Sequence, residues 1–120
     1  MARRLVVKLT CGAEAPERLS QALTVAVTAL ASGAEVTLWL TGDSVWMVVP
    51  GREPDVELEH SAPFSELVAG VLAAGSVMVC TQCAARRGVG AEDLADGVRI
   101  GGAAGFVEQV LVDGTQALVY

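Results

Sequence analysis

Cys80 and Cys83 stand where a short apolar run, Val77-Met78-Val79, meets Thr81-Gln82 and then Ala84-Ala85-Arg86-Arg87-Gly88. The run reads as a strand and the segment after it as a helix, so Cys80 marks the junction and Cys83 lies one helical turn later. Backbone N–H groups and the helix dipole at such a junction favour the thiolate, which is the nucleophilic form of cysteine. Cys80 is the first candidate for chemistry, and Cys83 is a second thiol within its reach.

Three readings compete for this Cys-x-x-Cys. In a dithiol oxidoreductase the first thiol attacks and the second resolves, but thioredoxin-like proteins set a late cis-proline beside the cysteine, and no proline follows Pro63 here. A structural zinc ion needs four ligands, and the chain offers only this pair, a distant Cys11 and the single His60. The plainest reading makes Cys83 and Cys11 small buried hydrophobes, a frequent fate of cysteine.

The positioning elements follow from local pattern. Leu5 to Leu9 is a first strand that ends at Thr10-Cys11-Gly12. Pro16 opens a helix whose apolar positions Leu19, Ala22, Leu23, Ala26, Val27 and Leu30 repeat at helical spacing, and Gly33 closes it. Glu35 to Leu40 is a second strand, and Thr41-Gly42-Asp43-Ser44 turns the chain, with Asp43 or Ser44 expected to cap a short helix through Val48. A polar loop from Arg52 to Glu59 leads to a helix from Pro63 to about Ala74, with Leu67, Val68, Val71 and Leu72 on its buried side. The third strand is Ser76 to Val79 and feeds the cysteine helix, which runs to about Arg87. One turn near Glu92 to Leu94, a brief strand at Val98 to Ile100, a helix over Ala103 to Leu111 that uses Phe106, Val107, Val110 and Leu111, and a strand at Gln116 to Val119 complete the chain. Strands alternate with helices, so the expected architecture is α/β with a parallel sheet covered on both faces.

In such sheets reactive groups gather beyond the carboxyl ends of the strands. Thr10, Cys11, Gly42, Asp43 and Cys80 all fall in those loops, which makes the first four candidate substrate-binding residues around Cys80. Trp39 and Trp46 read as core or interface aromatics.

Composition bounds the partners. A chain of 120 residues is a single domain over 1–120, with any site shallow or shared. It is 52% hydrophobic but only 4% aromatic, so Val, Leu and Ala must build the core. That much apolar surface on a small domain favours a homo-oligomer. The net charge of −6 and the scattered basic residues exclude a nucleic-acid footprint. The uncharged stretch from Leu67 to Ala85 approaches the roughly 20 residues of a membrane span, but Gly70, Gly75, Ser76, Thr81 and Gln82 break it into helix, turn and strand. Lys8 and Thr10 interrupt the first apolar run too early for a secretion signal. Three cysteines, an odd number, then suggest reduced thiols in a cytoplasmic protein.

Cys80 followed by Ala84 to Val89, with Leu40-Thr41-Gly42-Asp43 after the second strand, resembles the small DsrE/DsrF/DsrH-like proteins, which include the TusD subunit of the bacterial sulfur-relay complex. The resemblance runs through the whole order of elements and is specific over about a dozen residues. It implies a three-layer α/β/α sandwich around a mostly parallel five-stranded sheet, assembly into trimers or hexamers, and a cysteine after the third strand that carries sulfur as a persulfide. That cysteine corresponds to Cys80. Partners would be sulfur donor and acceptor proteins, and no cofactor or metal is implied. Cys83 departs from the relay-subunit pattern, where an apolar residue is typical, and opens a redox-switch alternative. A non-catalytic assembly or binding module is the other alternative, because many members of the family have no assigned activity.

Overall fold

The computed structural model describes residues 3–120. β1 (Arg4–Leu9) is a run of branched residues, and its inner positions Val6, Val7 and Leu9 are all buried. It lies parallel to β2 (Glu35–Leu40) in the register Arg4 to Glu35 through Leu9 to Leu40. β3 (Ser76–Cys80), β4 (Arg99–Gly101) and β5 (Thr115–Val119) complete an all-parallel sheet in the order β4-β3-β2-β1-β5. The five-stranded α/β architecture read from the sequence is the one observed.

Between β1 and β2 runs α1 (Pro16–Ala31), which starts on its proline and turns back at Gly33 with a positive φ of 90°. α2 (Phe64–Ala74) connects β2 to β3 and stops at Gly75. Both pack on one face of the sheet, where Leu19, Leu23 and Ala26 of α1 and Leu67, Val68 and Val71 of α2 meet Val7, Leu9, Leu38, Leu40, Val77 and Val79. Each leucine fully buried there contributes about 1.5–3 kcal/mol relative to an exposed one. This aliphatic layer is the main core.

The opposite face is built differently. Strand alternation sends Lys8, Trp39 and Met78 to that side, in one row across three strands. α4 (Ala103–Val110), between β4 and β5, rests there on Trp39. Phe106 meets Trp39 edge-on at 5.6 Å between ring centroids, and Trp39 Nε1–H donates to Gln109 Oε1 at 2.7 Å. Trp39 is thereby buried with its one polar group satisfied. Of the four apolar positions expected to serve this helix, Phe106 and Val110 are half-buried, whereas Val107 and Leu111 face solvent. No residue of α4 is buried, and Val107 and Leu111 are 46% and 74% exposed. The cause is geometric: α4 is a short single helix held chiefly through Phe106 and Gln109, with no second helix beside it of the kind α1 and α2 provide for each other.

The loop after β2 also differs from its expected form. A 3₁₀ helix spans Gly42–Val48, but neither Asp43 nor Ser44 caps it, because Thr41 takes the N-cap position without a side-chain bond. Ser44 is buried instead, and its hydroxyl reaches Leu9 O at 3.0 Å and Thr41 O at 2.6 Å. Among the described residues no helix is long and apolar enough to cross a membrane.

Candidate functional site

Cys80 is the last residue of β3 and the N-cap of α3 (Thr81–Arg86), with extended backbone angles of φ −64° and ψ 126°. Its strand partner is Gly101. A β-carbon on Gly101 would come within 2.9 Å of Met78 Cε and 3.0 Å of Trp39, so any larger residue would have to displace them, and glycine leaves the flank of Cys80 without a neighbouring side chain. Cys80 is partly exposed, whereas Cys83 on the first turn of α3 is buried at 8% exposure. Both thiols are free.

Electrostatics separate Cys80 from Cys11. Burial alone would raise the Cys80 pKa, but the Cys83 N–H and S–H, the Gln82 N–H and the positive charge of Lys8 outweigh it and hold the thiol below its ordinary value. None of these contacts is a well-aligned capping hydrogen bond, and α3 is only six residues long. The thiolate is favoured by nearby individual dipoles more than by an extended helix dipole. Cys11 behaves oppositely: burial pushes its thiol up, Glu14 adds to the rise, and Arg18 opposes it without reversing it. Cys11 is 3% exposed and belongs to the main core.

The remaining candidates form an interlocked rim. Gly12 presses so closely on the loop after β2 that a β-carbon there would sit 2.6 Å from Asp43 O. Gly42 adopts a positive φ of 56° against Thr10 O, a conformation and a space that exclude other residues. Thr10 commits its polar groups to the far end of β5, with Oγ1 and N–H both donating to Tyr120 O at 2.6 and 2.9 Å. Asp43 turns outward to Arg87, which donates to Asp43 Oδ1 from Nη2 at 2.7 Å and from Nε at 3.1 Å. The third arm of the same guanidinium donates from Nη1 to Cys83 O at 3.0 Å. Thr10, Gly42 and Asp43 are thus joined to each other and, through Arg87, to the cysteine helix, while the groups that favour the Cys80 thiolate come from α3 and from Lys8.

Two contributors escape the sequence reading. Lys8 there only breaks an apolar run; in the fold its Nζ lies 4.8 Å over the Phe106 ring and its charge acts on Cys80. The available signal was strand parity, which puts a cation on the side of β1 opposite Val7 and Leu9. Arg87 marks only the end of the cysteine helix in the sequence, and its bridge to Asp43 joins residues too far apart in sequence for local pattern to reveal. A cavity of about 600 Å³ lies elsewhere, between the loop after the 3₁₀ helix and α2, with Met47, Phe64, Val68 and Leu72 among its lining residues and no cysteine among them.

This arrangement can present one activated, reachable sulfur with a second thiol behind it. Comparison with known proteins agrees with the fold that carries it. Over 100% of both chains the structure is similar to the ychN protein from E. coli, with a TM-score of 0.79 at 22% identity. It is also similar to MTH1491 of Methanobacterium thermoautotrophicum, a protein of unknown function, with a TM-score of 0.74 at 15% identity over 98% of this chain and 99% of the other. In sequence the chain is 36% identical over 91 residues to an uncharacterized protein of Methanopyrus kandleri, covering 72% of each. The model of the DsrE/DsrF-like family matches residues 4–116, and the chain belongs to that family.

Proposed function

We propose that this protein carries sulfane sulfur as a persulfide on Cys80, taking it from a donor cysteine and yielding it to an acceptor. The observation that supports this most directly is that Cys80 is a partly exposed residue with donors and a cation that favour its thiolate. A thiolate is what attacks the terminal sulfur of a donor persulfide, and an open rim lets a protein partner approach. Thr10, Gly42 and Asp43 form the adjoining surface that the partner meets, and Cys11 supports that surface from beneath. Family membership favours sulfur-relay chemistry over the other thiol chemistries open to a Cys-x-x-Cys. Reduced, free thiols suit a cytoplasmic setting.

A homo-oligomer, a trimer or hexamer, is part of the same proposal. Val107 on α4, Leu111 and Val112 just after it, and Val119 on the same side of β5 are large apolar residues exposed to solvent, and a second copy of the chain would remove them from water. This surface also favours the alternative of a pure assembly module, in which the thiols do nothing.

Incubation with a small persulfide followed by intact-mass measurement tests the proposal. The protein gains one sulfur, and the Cys80→Ser variant does not. A gain that survives in Cys80→Ser, or a wild type that shows neither the added sulfur nor a Cys80–Cys83 disulfide formed with release of hydrosulfide, refutes persulfide carriage and leaves the assembly reading.

A further inference from the structure

We infer that Cys83 discharges the Cys80 persulfide internally, forming a Cys80–Cys83 disulfide and releasing hydrosulfide, so that the loaded protein delivers sulfide when no acceptor takes the sulfur. This rests on the reading that Cys80 carries the persulfide.

The two cysteines are unequal in a way that assigns their parts. Cys80 is partly exposed at the end of β3, and an incoming thiol can reach it. Cys83 is buried at 8% exposure and packed in the main core, so a protein partner is screened from it. One helical turn separates them, with Cys80 at the N-cap and Cys83 on the first turn of α3, a spacing that sets both side chains on one side of the start of the helix. The first electrophile available to Cys83 is therefore the inner sulfur of a persulfide on Cys80. Arg87 ties this first turn to the loop after β2 by donating to both Cys83 O and Asp43 Oδ1. Cys11 does not compete, since its sulfur is directed at Ala15 O within the core.

The step balances without an external oxidant. Loaded Cys80 carries an Sγ–S bond to a terminal sulfur. The proton of the Cys83 thiol passes to that terminal sulfur. Cys83 Sγ then bonds to Cys80 Sγ, the original sulfur–sulfur bond breaks, and its electron pair leaves with hydrosulfide. The sulfane sulfur is reduced to sulfide, and the two cysteine sulfurs end as the disulfide. Any thiol reductant, small or protein-borne, returns the pair to the free state and makes the cycle repeatable.

The test loads the whole protein with glutathione persulfide, removes the excess, and follows intact mass and released hydrosulfide without reductant. In the wild type the added-sulfur species decays to one lacking two hydrogens, with about one hydrosulfide released per chain. Cys83→Ser and Cys83→Ala, each checked for an unchanged circular-dichroism spectrum, hold the added sulfur about tenfold longer or more. If both variants take up sulfur and lose it as fast as the wild type, Cys83 is not the resolving thiol, although carriage on Cys80 stands. A wild-type disulfide found to include Cys11 has the same meaning. If neither the wild type nor the variants take up sulfur, the carrier reading itself fails and this inference fails with it.

Discussion

Arg87 spans the gap between two elements by binding Asp43 and the cysteine helix at once, with Nη2 2.7 Å from Asp43 Oδ1 and Nη1 3.0 Å from Cys83 O. The Arg87 side chain is 21% exposed and that of Asp43 50%, so solvent screens the ion pair only in part. Its geometry is favourable, since two N–H groups converge on one oxygen. The Cys83 carbonyl receives the Arg87 guanidinium, while the Arg87 backbone N–H bonds Ala84 O instead.

Breaking this tie loosens α3 before it unfolds the protein. Asp43→Ala and Arg87→Ala each lower stability by about 1 kcal/mol, the size of a half-exposed ion pair with its hydrogen bonds. For a domain of this length that lowers the thermal midpoint by about 4 °C. The double variant falls short of the sum of the singles, which thermal melts of all four proteins check. Full additivity means that the pair contributes nothing to stability.

The pH dependence of thiol alkylation separates Cys80 from Cys11. Only thiolate reacts, and the Cys80 thiol is held below its ordinary value while Cys11 is pushed above it. Cys80 therefore keeps its reactivity as pH falls through the range where an ordinary thiol protonates, and Cys11 reacts only at higher pH and slowly because it is buried. Lys8→Met removes an attraction felt by the anion alone, so the Cys80 midpoint moves upward. Iodoacetamide rates at each cysteine, read by peptide mass across pH, give both results. An unmoved Cys80 midpoint in Lys8→Met means that Lys8 does not act on the thiolate.

The rim admits no side chain at Gly12. An added methyl at that position meets the Asp43 carbonyl at 2.6 Å, and because the obstacle is backbone, one loop must move. Gly12→Ala is expected to cost about 1–3 kcal/mol, the range for overpacking a closed site. Denaturant unfolding measures the loss, and a stability equal to the wild type means that the two loops do not meet as described.

Strands and helices were legible because their signals are local. Pro16 and Gly33 bracket α1, and the alternation in Glu35–Leu40 marks β2. Cys80 at the strand-to-helix junction was legible for the same reason. Lys8 beneath α4 and Asp43 against Arg87 were not, since those relations depend on strand order and on how α3 lies over the loop after β2. The exposure of Val107 and Leu111 was hidden for another reason. An apolar helix face shows in sequence that something covers it, but a neighbouring element and a second chain write the same pattern.

That ambiguity supplies the sharpest test of assembly. Leu111 is 74% and Val119 65% exposed in the single chain, so replacing them with charged residues removes almost no intramolecular packing. Leu111→Glu and Val119→Glu should leave the thermal midpoint of an isolated protomer nearly unchanged. In an oligomer closed over this surface, the same charges would be buried without partners and would oppose association strongly. The wild type is expected to elute with a mass several times that of one chain in size exclusion with light scattering, and the double variant as a folded monomer. A wild type that is already monomeric, or a double variant that keeps the assembled mass, refutes a contact through α4 and β5. If the double variant is a folded monomer that still takes up sulfur on Cys80, the site is complete within one chain; loss of uptake on dissociation instead means that a neighbouring copy completes it.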